Sequence, residues 1–145
     1  MFKTILVPTD GSELSEKSIR GAVELAKLAG GRIIAISVAE PYPFTPSVEG
    51  AFAPDLNLYE KQMQKFAEMH VEKVAEIAAK AGVPCETHVA HSFNPYEEIV
   101  NAAREHHCDV ILMASHGRKG LNKLFIGSET QKVLAHSSIP VMVFR

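Results

Sequence analysis

The chain has 145 residues, of which 46% are hydrophobic and 22% charged, and its formal net charge at pH 7 is -2. This length predicts one domain spanning residues 1–145, and the composition is typical of a globular protein rather than a disordered one. The small net charge and the 7% aromatic content argue against a nucleic-acid binder, since such proteins carry basic surfaces and stacking aromatics.

The cysteine content and the hydrophobic runs favour a protein of the cytoplasm. Cys85 and Cys108 form no CxxC pair and are too few for a disulfide framework. The opening residues, broken early by Pro8, do not have the pattern of a signal peptide. No apolar run approaches the roughly 18 residues that a membrane helix needs, so we expect no membrane partner.

The first elements predicted are a buried strand and a helix. Residues 2–7 are apolar and rich in β-branched residues, and Pro8 ends the run, which indicates a strand. Asp10 and Glu13 have the spacing of a capping box, so a helix is expected to begin here. The glycines at 30–31 are expected to end it.

The middle of the chain alternates strands with one long helix. Residues 32–39 and 85–90 have the apolar pattern of strands. Residues 40–56 contain four prolines and are interpreted as a Pro-rich loop insertion within the domain. Apolar residues at helical spacing predict a helix over 57–81, which Gly82 ends.

Two more helices and two more strands complete the chain. Asn94 and Glu97 form a second capping-box pattern, and the helix that follows runs to about residue 107. Residues 109–113 predict a fourth strand, residues 128–131 a third capping box, and residues 140–144 a fifth strand. Five strands alternating with four helices predict an α/β fold with an open parallel sheet and helices on both faces.

The segment after the fourth strand has the features of a phosphate cradle. Ligands of open α/β sheets bind beyond the carboxyl ends of the strands. Here Gly117 and Gly127 would let backbone N–H groups approach a ligand, and Ser128 stands at the start of a helix, where free N–H groups attract an anion. The alternative is that these residues are two loop glycines and a serine that only caps its own helix.

Several segments together resemble the universal stress protein family. They lie at residues 3–12, 109–117, 127–134 and 140–143 and span nearly the whole chain. ATP-binding members of the family carry G-x2-G-x9-G-[S/T]. The present chain has A-x2-G-x9-G-S, with Ala114 at the first glycine position.

The resemblance implies a Rossmann-like sheet of order 3-2-1-4-5, similar to that of the adenine nucleotide alpha hydrolases, with a crevice between strands one and four. It implies ATP or another adenine nucleotide as the ligand, with Mg²⁺ held through the phosphates. Asp10 and the backbone of Val38 would hold the adenine. The nucleotide-binding residues implied in this way are Pro8, Thr9, Asp10, Val38, Met113, Ala114, Ser115, His116, Gly117, Gly127, Ser128, Glu129 and Thr130.

The resemblance also implies a homodimer. In the implied order, residues 140–144 lie at a sheet edge, and an exposed apolar edge tends to associate unless it is paired. The predicted function is therefore a nucleotide-binding module acting in stress response or regulation, without a catalytic residue. Two alternatives remain. One is a slow nucleotide hydrolase that uses Asp10 or His116, and the other is a dimeric interaction protein without a nucleotide, which Ala114 leaves open.

Other candidate site residues have simpler explanations. His106 and His107 are adjacent on a helix and diverge, while His88 and His91 point to opposite sides if the chain is extended, so no metal site is predicted. The basic residues of the loop at 118–123 would screen phosphates or be solvated. The aromatic residues of the Pro-rich loop (Tyr42, Phe44 and Phe52) are expected to pack against the sheet rather than to form a lid.

Overall fold

The structure is a computed structural model that describes residues 1–43, 55–117 and 125–145. In these ranges the elements are β1 (Thr4–Pro8), α1 (Glu13–Ala29), β2 (Arg32–Ala39), α2 (Leu56–Lys80), β3 (Cys85–His91), α3 (Pro95–Glu105), β4 (Val110–Ala114), α4 (Ser128–His136) and β5 (Val141–Phe144). The strands form a parallel sheet of order β3-β2-β1-β4-β5. This confirms the predicted fold class and strand order.

The sheet is covered on both faces, which explains why its central strands are almost wholly apolar. Ile5 and Val7 of β1 pack towards α1 and α2, whereas Leu6 between them packs towards α3 and α4. All three side chains are fully buried. Burial of such apolar surface is the main source of stability in a domain of this kind.

The first strand is displaced from its predicted bounds. It was predicted over residues 2–7 and lies at Thr4–Pro8. Phe2 has a φ of 59°, a left-handed conformation that cannot belong to an extended strand. Pro8 is accommodated because it is the last residue of the strand.

Two of the three predicted capping boxes are wrong. Helix α1 is capped by Ser12, whose Oγ accepts a hydrogen bond from the N–H of Ser15 at 3.2 Å. Asp10 instead accepts from the N–H of Ser12 at 3.0 Å, a local turn that competes with the cap. Helix α4 is capped by Gly127, so Ser128 is already helical.

The remaining capping box, predicted at Asn94, is correct in position only. Asn94 is the N-cap of α3 and proline follows it, but the asparagine side chain makes no capping hydrogen bond. A residue distant in sequence, Glu129, caps the helix instead. Its Oε2 accepts a hydrogen bond from the N–H of Tyr96 at 3.0 Å. The start of α3 is therefore bound to the first turn of α4.

The amino ends of β1 and β4 are closely joined by Asp109. Its backbone N–H donates to the carbonyl of Thr4 at 2.8 Å. Its Oδ2 accepts from the backbone N–H of Lys3 at 2.6 Å and of Thr4 at 2.9 Å. These two donors hold the pKa of the Asp109 carboxyl below its usual range.

The carboxyl ends of the same two strands separate. The paired positions are Ile5 with Val110 and Leu6 with Ile111. Because the carbonyl of Thr4 faces β4, the alternation along a strand directs the backbone of Pro8 to the same side. Proline has no N–H to donate there, so the ladder cannot continue and a gap opens between the strands.

The cysteines and the polarity of the helices have direct chemical consequences. Cys108 is buried and Cys85 is half-buried, and both are free. Burial raises the pKa of each thiol to about 11. Within the described ranges, every helix is too short or too polar to cross a bilayer.

Candidate functional site

The gap between β1 and β4 lies where the chain reverses direction across the sheet, because β1 leads to β2 on one side and β4 lies on the other. Such a switch point is the usual ligand site of an open α/β sheet. Two segments border it, one from Thr9 to Ser15 and one made up of the described residues 115–117 and 125–128. Residues 118–124 lie outside the described ranges, so the expectations for Arg118, Lys119 and Lys123 are not placed.

The first segment is held rigidly by its own hydrogen bonds. Thr9 is buried, and its N–H donates to the carbonyl of Ile36 at 2.9 Å. Its Oγ1 accepts from the hydroxyl of Ser15 at 2.8 Å and from the N–H of Gly11 at 3.3 Å. These contacts fix the turn between β1 and α1 before any ligand is present.

The ring of His70, from helix α2, covers this turn. A Cβ added to Gly11 would lie 2.4 Å from Nε2 of His70, and Nδ1 of that ring is 3.5 Å from the hydroxyl of Ser37. Gly11 also has a φ of 76°, so glycine is required here for conformation as well as for space. His70 was not predicted as a site residue from the sequence.

The second segment starts from the end of β4 and is fixed at both of its described ends. The N–H of Ser115 donates to the carbonyl of Phe144 at 2.7 Å, and its carbonyl accepts from the N–H of Gly127 at 2.7 Å. The buried hydroxyl of Ser115 lies 3.0 Å from Nδ1 of His116. His116 thus has a neighbour along the chain as its partner.

Ala114 ends β4 in an extended conformation. It pairs with Phe144 of β5, and it is not among the residues with a positive φ. A residue in extended backbone does not need to be glycine for conformational reasons. The methyl group of Ala114 therefore affects only the space beside the strand.

The two glycines of the segment lie close to their neighbours and are not held in a positive φ. Gly127 has a φ of -61°, and no positive φ occurs at Gly117. A Cβ at Gly127 would lie 3.1 Å from the Cα of His116, and a Cβ at Gly117 would lie 2.2 Å from Oδ2 of Asp10. The backbone at Gly117 thus approaches the β1 segment closely across the gap.

The first turn of α4 borders the same gap. Its leading N–H groups have no partner within the helix, as at every helix start, and they attract anions. The buried hydroxyl of Thr130 donates to the carbonyl of Ala114 at 3.0 Å, which fixes this turn against β4. Ser128 is exposed at the helix start.

Two of the predicted site residues, Glu129 and Met113, have side chains directed elsewhere. The carboxylate of Glu129 is engaged with Tyr96 and, at 2.8 Å, with Lys132, whose pKa is raised by this hydrogen bond. Met113 is buried in the core on the α3 and α4 side. Val38 is half-buried and pairs with Ala90 of β3.

The aromatic residues of the Pro-rich loop are only partly placed. The ring of Tyr42 packs edge-on against that of Tyr59 in α2, with centroids 5.1 Å apart. It therefore contacts a helix, whereas packing against the sheet was predicted. Phe44 and Phe52 lie outside the described residues.

The model of the Universal stress protein family matches residues 1–145. The chain belongs to the universal stress protein family. A universal stress protein of Thermus aquaticus is 32% identical over 145 residues, and YxiE of Bacillus subtilis is 33% identical over 149. Each alignment covers all of this chain and all of the relative.

Solved structures of family members share the fold. The structure of MJ0577, a universal stress protein of Methanocaldococcus jannaschii, has a TM-score of 0.83 and 25% identity, covering 99% of this chain and 96% of that one. A universal stress protein of Archaeoglobus fulgidus solved with dAMP has a TM-score of 0.71 and 20% identity, with full coverage of both chains. Another, solved with cAMP, also has a TM-score of 0.71 and 20% identity, covering 99% of this chain and 97% of that one.

Proposed function

We propose that this chain binds an adenine nucleotide in the gap between β1 and β4 and acts as a regulatory module in stress response. The observation that carries the proposal is the meeting of three features at one gap: the close backbone at Gly117, the glycine cap at Gly127 and the start of α4. Membership of a family whose members have been solved with dAMP and cAMP supports it.

The proposed contacts are those that the resemblance to ATP-binding family members implies. Asp10 and the backbone of Val38 hold the adenine, and Pro8, Thr9 and Ala114 line the ribose. The phosphates meet the N–H groups of Gly117 and of Ser128 to Thr130, with Ser128 adding a hydroxyl. Gly127, whose own N–H donates to Ser115, lets them approach because it has no side chain. Ser115 and His116 lie beside them, and Met113 supports the end of β4 from the core.

Two residues contribute through the backbone in this proposal. The carboxylate of Glu129 is bonded to α3. The phosphates would therefore meet the backbone N–H of Glu129 and not its negative charge. The hydroxyl of Thr130 is bonded to the carbonyl of Ala114. The carboxylate of Asp10 lies beside Gly117. Mg²⁺ would be held mainly by phosphate oxygens and water, because this ion keeps several waters when it binds phosphates.

The deciding experiment is a melting series with ATP, ADP and AMP on the parent and on the Ala114→Gly variant. Ligand at a hundred times its dissociation constant stabilises a fold by about 2.7 kcal/mol, which is about 5–10 °C for a chain of this size. We expect the nucleotide to raise the melting temperature of the parent, and to raise that of Ala114→Gly further. The reason is that the methyl group of Ala114 restricts the space for the ligand but does not strain the backbone.

Ser128→Ala supplies a residue-level test, with Ser138→Ala at the other end of α4 as its matched control. Loss of one hydrogen bond should weaken the nucleotide about fivefold, whereas the control should bind as the parent does. No shift in the parent or in Ala114→Gly would contradict nucleotide binding and favour the interaction protein. Phosphate release over hours would favour the slow hydrolase.

We further propose that β5 pairs with its counterpart in a second copy to form a homodimer. In the sheet this strand is bonded to β4 along one side only, and its apolar residue Met142 is 36% exposed. Such an edge is a template for pairing with another strand, and antiparallel pairing would close a two-fold dimer.

Sedimentation at micromolar protein tests the dimer. Met142→Lys should shift the parent dimer to monomer, because a charge on a strand edge opposes pairing. Met69→Lys on α2, also at an exposed position, is the control and should remain dimeric. A parent that sediments as a monomer would contradict the proposal.

A further inference from the structure

A cluster of two histidines and a glutamate lies at the β3 edge of the sheet, away from the gap between β1 and β4. Glu86 and His88 are two residues apart in β3 and so share one face of the sheet. His106 is the C-cap of α3, which packs on that face. One ligand atom from each of the three side chains lies within 4.8 Å of the other two.

The distances within this cluster match those of a metal site that needs only small side-chain movements. Oε1 of Glu86 is 2.8 Å from Nε2 of His88 and 3.9 Å from Nδ1 of His106. The two imidazole rings have centroids 4.3 Å apart. Ligands about 2.0–2.1 Å from a tetrahedral Zn²⁺ lie about 3.3–3.4 Å from one another, which is between the two carboxylate–imidazole distances of this cluster.

The surroundings orient the carboxylate and leave room for solvent. Arg32 lies 3.9 Å from Oε2 of Glu86, on the oxygen that does not face the histidines, so it helps to aim Oε1 at them. The side chains of His106 and His88 are 23% and 33% exposed. They are therefore partly desolvated but open to a metal ion and a water molecule.

We propose that Glu86, His88 and His106 bind a divalent transition-metal ion, Zn²⁺, as three protein ligands with solvent in the fourth position. Two imidazoles and one carboxylate with an open position form a common zinc ligand set. The alternative is that Glu86 and His88 form a plain ion pair beside a packed imidazole, without a metal. From the sequence, neither His88 with His91 nor His106 with His107 was predicted to form a metal site. In the structure, the imidazoles that meet are those of His88 and His106.

Calorimetric titration of the tag-free protein with Zn²⁺, in buffer without nucleotide, tests the proposal. The parent should bind one ion, and His88→Ala and His106→Ala should each weaken binding on the order of a hundredfold. His107→Asn is the matched control. His107 is exposed, adjacent to a proposed ligand and at a φ of 51°, a conformation that asparagine tolerates. It should bind Zn²⁺ as the parent does.

Cobalt substitution gives a second measurement that does not depend on affinity. Co²⁺ bound to the parent should show the strong visible absorption of a tetrahedral site, and Zn²⁺ should displace it. Glu86→Gln keeps the side-chain volume and should change that spectrum, even if an alanine variant unfolds. Absence of one-to-one binding to the parent, or equal binding by the parent and both alanine variants, would overturn the proposal.

Discussion

The two ends of the β1 and β4 pair differ sharply. At the amino end, Asp109 makes three hydrogen bonds to the backbone of Lys3 and Thr4. At the carboxyl end, paired positions stop at Leu6 and Ile111, and Pro8 presents no donor to β4. In this pair of strands, an aspartate joins the amino ends by hydrogen bonds and a proline ends the pairing towards the carboxyl ends. The ligand site is proposed at the unpaired end.

The largest expected effect comes from adding a methyl group at each end. A Cβ on Gly31 would lie 2.5 Å from the carbonyl oxygen of Lys3, which is backbone, whereas a Cβ on Gly117 would meet the side-chain tip of Asp10. Gly31→Ala should therefore lower the free energy of unfolding by about 2–3 kcal/mol. Gly117→Ala should cost less than about 1 kcal/mol, because a carboxylate can rotate away.

Urea denaturation of the two glycine variants measures this difference. Neither residue has a positive φ, so backbone strain does not confuse the comparison. Equal losses of stability in the two variants would show that the amino end is no more tightly packed than the crevice.

A smaller and pH-dependent effect is expected for Asp109→Asn. The pKa of this carboxyl is lowered by its two backbone donors, so its contribution is complete above the unfolded pKa and is lost as the pH falls through the folded pKa. At neutral pH the variant should be less stable by about 1 kcal/mol, given the exposure of the site.

The difference between the parent and Asp109→Asn should begin to shrink near the unfolded pKa of about 3.9 and should disappear only when the pH falls below the lowered folded pKa. Glu105→Gln, which neutralises an exposed carboxylate at the end of α3, is the control for net charge. A destabilisation of Asp109→Asn that persists unchanged in acid would show that the carboxylate charge is not what joins the strands.

The smallest effect concerns hydrogen exchange in Pro8→Ala. The new amide at position 8 should face the gap and exchange fast, while the amide of Thr9, bonded to Ile36 at 2.9 Å, should stay protected. Stability should fall by no more than about 1 kcal/mol, mainly through the greater freedom of the unfolded chain. Equal protection of both amides would mean that the gap closes once a donor is supplied.

The sequence predicted the parallel sheet and its helices well because the apolar runs of the central strands are unambiguous. Helix starts were less predictable, since Asp10, Ser12 and Gly127 all have the chemistry of caps. Which of them caps a helix depends on local turns such as the bond from Ser12 to Asp10. The geometry of two or three neighbouring residues, rather than the type of residue, decides which of them becomes the N-cap.

From the sequence, Gly117 and Gly127 were proposed to let the backbone approach a ligand, but the groups that lie beside them could not be predicted. Gly117 and Gly127 give space without a positive φ, and this depends on what lies opposite. The positions of His70, Glu129 and the pair of His88 with His106 were not predicted, because each contact joins distant parts of the chain. No local pattern carries such information.

The two cysteines set a limit on how this protein can respond to oxidants. With pKa values of about 11 for Cys85 and Cys108, roughly one thiol in ten thousand is ionised at pH 7, and the thiolate is the reactive form. Peroxides and alkylating agents should therefore modify the folded chain slowly. We therefore do not expect either cysteine to act as a fast oxidant sensor in the folded chain.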